Sequence, residues 1–158
     1  MPDGQHHAKI QNAGWLVVAP ASIFAAIVYH PAMGTGIALG YFIGRYVNCD
    51  ADISGMTTAE GYAINELGIL GYVLVAYMTL YGIIFRRLHR STLTHGMLIS
   101  TAIRWAYLFW WLWFVPIIWY DWQLVVLFFV YFGMVLVDIP HYISDKFFDK
   151  DSSISNTF

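Results

Sequence analysis

The chain has 158 residues, of which 59% are apolar and 11% charged. An ordinary soluble domain carries about 25% charged residues, so this composition excludes that class and points to an integral membrane protein. The formal net charge of −2 says little about partners, although no nucleic-acid partner is expected, and the single cysteine, Cys49, excludes an intrachain disulfide.

In chain order, residues 1–12 are polar and carry His6, His7 and Lys9. They lack the basic n-region of a cleavable signal peptide. Residues 14–29 form the first apolar run, with Pro20 inside it; a proline in the first turns of a helix is tolerated. His30-Pro31 marks a turn, because the residue before a proline is pushed out of the helical region. A second run, residues 33–47, carries Gly34, Gly36, Gly40 and Gly44, and small residues at such spacing let helices approach closely. Alone it is short for a hydrocarbon core of ~30 Å, which takes about 20 helical residues. With Pro31 and Ala32 included, it can cross at a thin point. Asn48-Cys49-Asp50-Ala51-Asp52 then opens a polar connection that runs to Glu66.

Residues 67–85 are apolar again, with Gly68, Gly71 and Gly82. They lead into Phe85-Arg86-Arg87-Leu88-His89-Arg90-Ser91-Thr92-Leu93-Thr94-His95-Gly96, the one dense run of ligand-capable residues in the middle of the chain. Residues 97–119 are long and aromatic, with Arg104 inside and Pro116 near the far end; their tryptophans read as belt and packing residues. Residues 120–123 form a short turn, and residues 124–140 run apolar into Asp138, His141 and Asp145. The length fits one domain, taken as residues 1–146 and followed by a polar, mobile tail over 147–158.

Parity selects the topology. If all five apolar segments span, the candidate ligands land on both faces of the membrane. If residues 67–85 are re-entrant or interfacial, then His7, Asp50, Asp52, His89, His95, His141 and Asp145 all fall on one side. Glycines between Gly61 and Gly82 suit a broken or lying segment, provided that protein buries it where it leaves helical pairing. Seven of the eight basic residues fall on that same side, which the positive-inside rule makes cytoplasmic. The expected fold is therefore an all-α, polytopic membrane bundle with four spanning helices and one re-entrant or interfacial segment. Five spanning helices is the alternative.

Three groups of residues carry candidate chemistry. His89 and His95 are six apart, about 240° around a regular helix, so they face one point only if the segment is partly a loop. A basic juxtamembrane stretch accounts for Arg86, Arg87 and Arg90 but leaves the two histidines unexplained, and metal ligation accounts for those. Asp50 and Asp52 form a D-x-D whose side chains point to one side of an extended segment; the bland reading is a solvated loop. Asp138, His141 and Asp145 stand at i, i+3 and i+7 and share one narrow helix face, a donor set that suits a hard or borderline divalent ion. Ionisable residues inside a membrane, such as Asp138, read as functional by default. Arg104 is expected to pair with a site carboxylate or to bind a substrate anion, with snorkelling to the interface as the bland alternative. His7, with His6 as its alternate, completes the set; on its own it reads as a tail residue. Cys49 reads as a buried structural thiol.

At these residues the chain resembles an uncharacterised family of bacterial membrane metal-binding proteins, relatives of a wider group of membrane-bound, metal-dependent hydrolases. Members tend to begin Met-Pro-Ser-Gly-x-Thr-His-Asp, and this chain begins Met1-Pro2-Asp3-Gly4-Gln5-His6-His7-Ala8. Their Pro-Asp-Leu-Asp after the second apolar run is matched by Cys49-Asp50-Ala51-Asp52. Their His-Arg-Ser-x-x-Ser-His-Gly, the most specific of the motifs, is matched by His89-Arg90-Ser91-Thr92-Leu93-Thr94-His95-Gly96, with Arg104 as the early arginine that follows. Their final His and Asp, four residues apart, correspond to His141 and Asp145. The chain departs from the pattern at Ala8, at Cys49 and over 67–85, which lacks the family's Trp- and Arg-rich character.

The resemblance implies a polynuclear metal site made by His7, Asp50, Asp52, His89, His95, His141 and Asp145. It takes two or more divalent ions, whether zinc, manganese, iron or magnesium. The expected activity is hydrolysis of a phosphoester or other ester of an amphiphile at the cytoplasmic face of a bacterial inner membrane. Arg90, and with it Arg104, would hold the anionic oxygens, while Asp138 orients a ligating imidazole. The partners are then membrane lipid and that substrate. The alternative is a non-enzymatic accessory or structural subunit of a membrane complex, stapled by its ion.

Overall fold

The computed structural model describes residues 4–47, 57–85, 97–114 and 121–148. All of the described secondary structure is helical: α1 (Gly4–Val28), α2 (Pro31–Tyr46), α3 (Thr58–Leu67), α4 (Ile69–Phe85), α5 (Met97–Phe109) with a 3₁₀ extension (Trp110–Phe114), and α6 (Asp121–Phe148).

The helix ends follow from local chemistry. His30 caps α2 in an extended conformation, its Nδ1 accepting from the Ala32 amide at 3.1 Å, and Pro31 occupies the first turn, where no amide donor is needed. The turn expected at His30-Pro31 is therefore present. Within the connection read from sequence only as polar, Thr57 and Glu60 form a reciprocal capping box that starts α3. Gly68, at φ +58°, separates α3 from α4 in the left-handed region that favours glycine. Residues 69–85, expected within a broken or lying segment, form one continuous helix, and the chain breaks ahead of it at Gly68. α1 begins at Gly4, well before the apolar run at residue 14. Residues 121–123, expected as a turn, open α6, which continues through Pro140 as one helix to Phe148.

The interhelical contacts fix the relative directions. Gly14 faces Tyr41, and Gly34 faces Ser22 and Ala26, so α1 and α2 are antiparallel. Gly36 abuts Val126 and Phe129, Gly40 abuts Val130, and Gly44 abuts Met134 and Val137, so α2 and α6 run in the same direction. Trp105 Nε1 donates to the Leu127 carbonyl at 3.0 Å, while Thr101, one turn earlier on α5, meets Asp138, so α5 runs against α6. The start of α1, the end of α2, the start of α5 and the end of α6 therefore gather at one end of the molecule. The corner between α3 and α4 joins that end through Glu66, which accepts from Tyr46 Oη at 2.6 Å and meets Arg45 at 3.4 Å.

The core is mostly apolar, with Tyr41, Met78, Tyr81, Val130 and Met134 buried, but it also takes in polar groups, and many large apolar side chains face outward. Gln11, Ser22, Ser100, Thr101, Arg104 and Asp138 are buried, whereas Leu16, Val17, Ile27, Ile69, Leu70 and Ile83 are exposed. Two helices are long and apolar enough to cross a membrane, through Gln11–Val28 and Gln123–Pro140, and only 22% and 33% of those windows are buried. α2, at 16 residues, rises about 24 Å, short of the ~30 Å core. α4 is a shorter apolar helix of 17 residues. The all-helical class is therefore as expected from sequence, while the span count rests on two helices by length and composition, not four.

Candidate functional site

The common end is tied together by Arg104. This side chain, 1% exposed, lies midway along α5. Its Nη1 donates to the carbonyl of Val47, the residue that caps the C-terminus of α2, at 2.6 Å. Its Nη2 pairs with Asp138 Oδ2 on α6 and lies 3.2 Å from the Ser100 hydroxyl and 3.4 Å from that of Thr101. Thr101 Oγ1 also donates to Asp138 Oδ2. Burying a charge in this way is tolerable only because it is paired and hydrogen-bonded. Of the alternatives raised for Arg104, the carboxylate pairing is the one present. It does not snorkel, and both terminal nitrogens already face protein acceptors.

Asp138 has its other oxygen to offer. Oδ1 is buried and has no hydrogen-bond partner among the described residues. An unpaired buried acceptor costs about 1–3 kcal/mol, more when charged, so the position is one that a donor or a cation would satisfy. On α1, Gln11 gives its backbone carbonyl to Tyr41 Oη at 2.7 Å, while its side-chain Nε2 is likewise buried without a partner among the described residues.

In chain order, predicted ligands lie close to the described helices. His7 lies on α1, four residues before Gln11. His141 and Asp145 lie on α6, three and seven residues past Asp138; the continuous helix puts these three positions on one face. The side chains of His7, His141 and Asp145 lie outside the described residues, as do Asp50, Asp52, His89, Arg90 and His95 altogether. Among the described residues, no three His, Cys, Asp or Glu side chains gather to hold a metal ion. Chain order nevertheless places Asp50 three residues beyond Val47, and His95 two residues before α5 begins.

Sequence reasoning did not single out Ser100, Thr101 or the Val47 carbonyl. The first two were accessible, because residues three and four before Arg104 share its helix face. Pairing a main-chain carbonyl with a side chain 57 residues away leaves no pattern in the sequence.

A family model described as uncharacterised metal-binding protein (DUF2227) matches residues 2–130 of the chain. No curated protein and no solved structure matches it.

Proposed function

This chain belongs to that family of uncharacterised metal-binding proteins, and from this premise we propose that it is an integral membrane protein with a divalent-metal site at the end where Arg104 and Asp138 meet. The observation that carries the reading is that the Arg104–Asp138 pair joins α2, α5 and α6, on the side of the molecule to which α1 brings its start, with predicted ligands close in sequence on all four helices. His7 belongs to α1, Asp50 and Asp52 follow α2, His89 and His95 precede α5, and His141 and Asp145 belong to α6. The outward apolar faces of α1, α4 and α6 support a lipid environment. α1, α2, α5 with its 3₁₀ extension, and α6 are then the four spanning segments, and the α3–α4 pair, broken at Gly68, is the re-entrant or interfacial one. The side bearing most Lys and Arg faces the cytoplasm.

The reaction class that fits is hydrolysis of a phosphoester, or another ester, of an amphiphile held at the membrane surface. Divalent ions, two or more among zinc, manganese, iron and magnesium, would supply Lewis acidity when bound by these residues. The chain's own part is binding and orientation. Arg90 offers a fork of donors to anionic oxygens. Asp138 Oδ1 accepts the free ring N–H of a ligating imidazole and fixes its tautomer, while Thr101 and Arg104 hold the carboxylate in place. The exposed apolar surface keeps the tail of an amphiphilic substrate in lipid beside the site.

The competing reading is an accessory subunit with a structural ion, for which the exposed Trp110, Trp111 and Phe114 offer a docking face. Turnover separates the two. Purified protein loaded with Mn²⁺ or Zn²⁺ should hydrolyse a short-chain phosphoester lipid, and Arg90→Ala should weaken KM for it while metal content stays unchanged. Metal-loaded protein that turns over no ester and copurifies with a fixed partner belongs to the accessory class.

A further inference from the structure

We infer that Arg104 is a positioning residue: one guanidinium sets the separation between the C-terminus of α2 and the turn of α6 that carries Asp138, and so presets the metal site without touching metal or substrate. The inference rests on the metal reading above. Arg104 lies on a third helix, α5, and bridges two others through a main-chain carbonyl, that of Val47, and a carboxylate, that of Asp138. Both contacts go to atoms at the last turn before predicted ligands. Val47 is 0% exposed and precedes Asp50 by three residues, and Asp138 precedes His141 by three.

Stability alone does not explain the arrangement. A buried ion pair can often be replaced by apolar side chains of similar volume with little loss, and the surrounding chain is apolar enough to have done so. What apolar packing cannot do is hold a main-chain carbonyl at a fixed distance from a carboxylate. The planar, rigid fork of arginine can, with its two terminal nitrogens aimed at separate acceptors; the single ammonium of lysine cannot serve both in the same geometry. The hydroxyls of Ser100 and Thr101 lie against Nη2, and Thr101 also holds the carboxylate oxygen that Arg104 uses. The whole cluster is thereby locked to α5, and Asp138 Oδ1 stays open for a donor from the site.

The test uses the full chain in detergent, stripped of metal, with Zn²⁺ and Mn²⁺ titrated in parallel against wild type, Arg104→Lys and the double variant Arg104→Met/Asp138→Leu. Thermal unfolding of the metal-free proteins is measured beside it. The double variant should unfold close to wild type yet bind the preferred ion about 10–100-fold more weakly, the usual penalty for losing a group that orients metal ligands. Arg104→Lys, which keeps the charge pair, should fold and show a loss in the same direction, so it decides the question if the double variant fails to fold. Wild-type affinity in a folded Arg104→Lys protein overturns the inference and leaves the metal site standing. A wild-type protein that binds neither ion overturns the metal reading and the inference with it.

Discussion

Asp138 and Arg104 are each other's solvation, and the sign of a substitution depends on whether one or both are removed. Asp138→Ala leaves a buried guanidinium without its carboxylate and should destabilise the protein by about 3–5 kcal/mol, the usual cost of breaking a buried pair from one side. Arg104→Met/Asp138→Leu removes both charges and should recover most of that loss, read as the midpoint of thermal unfolding in one detergent. A double variant no more stable than Asp138→Ala would mean that the cluster does more than pair charges. At this scale the sequence was informative about which residues mattered. An arginine and an aspartate inside apolar runs stand out, and both are buried at the hub. It was silent about their joining, because nothing along the chain links positions 34 residues apart on different helices. The pair of Glu66 with Arg45 and Tyr46 was hidden for the same reason.

Helix packing rests on close backbone approach between α2 and α6. A Cβ added at Gly40 would lie 2.0 Å from the Val130 carbonyl oxygen, whereas one added at Gly61 meets nothing within 4 Å. Gly40→Ala should therefore push α2 away from α6 and cost about 1–3 kcal/mol. Gly61→Ala, inside α3, should stabilise by up to about 1 kcal/mol through helix propensity alone. Equal effects of the two substitutions on unfolding would contradict the packing described here. The capping box makes a third case. Thr57→Ala removes the acceptor for the Glu60 amide and should cost about 1 kcal/mol, visible as faster amide exchange at the start of α3. Element by element, the apolar runs marked α1, α2, α4, α5 and α6, and His30-Pro31 marked the turn between the first two. α3 was missed because attention to apolar runs passes over a short polar helix, although Thr57 and Glu60 carry its start signal. The early start of α1 was missed for the same reason, since polar first turns look like a tail when only hydrophobic length is followed.

Over the whole molecule, a mostly apolar core that also buries a polar cluster, and an outer surface rich in large apolar side chains, define the architecture, and the metal site is proposed at the end where Arg104 joins α2, α5 and α6. Cysteine labelling in a Cys49→Ser background gives a direct check on orientation. In sealed, oriented vesicles a membrane-impermeant maleimide should reach Asn65→Cys, exposed on α3, from the cytoplasmic side. In the same background, Tyr29→Cys, at the exposed turn between α1 and α2, should react from the opposite side. Labelling of both from one face would contradict a spanning α2. The sequence supports four spans by parity, with ligands and basic residues together on one count of helices, and the labelling tests that count; helix length itself was poorly legible, because helix length and apolar length differ when helices begin or end in polar turns. The most direct measurement is elemental analysis of protein purified in detergent without chelator, for wild type, Asp52→Ala and His95→Ala. Two or more divalent ions per wild-type chain and a loss of metal in both variants are expected, because residues following α2 and preceding α5 would serve one site. Stoichiometric metal retained in either variant, or none in the wild type, would contradict it.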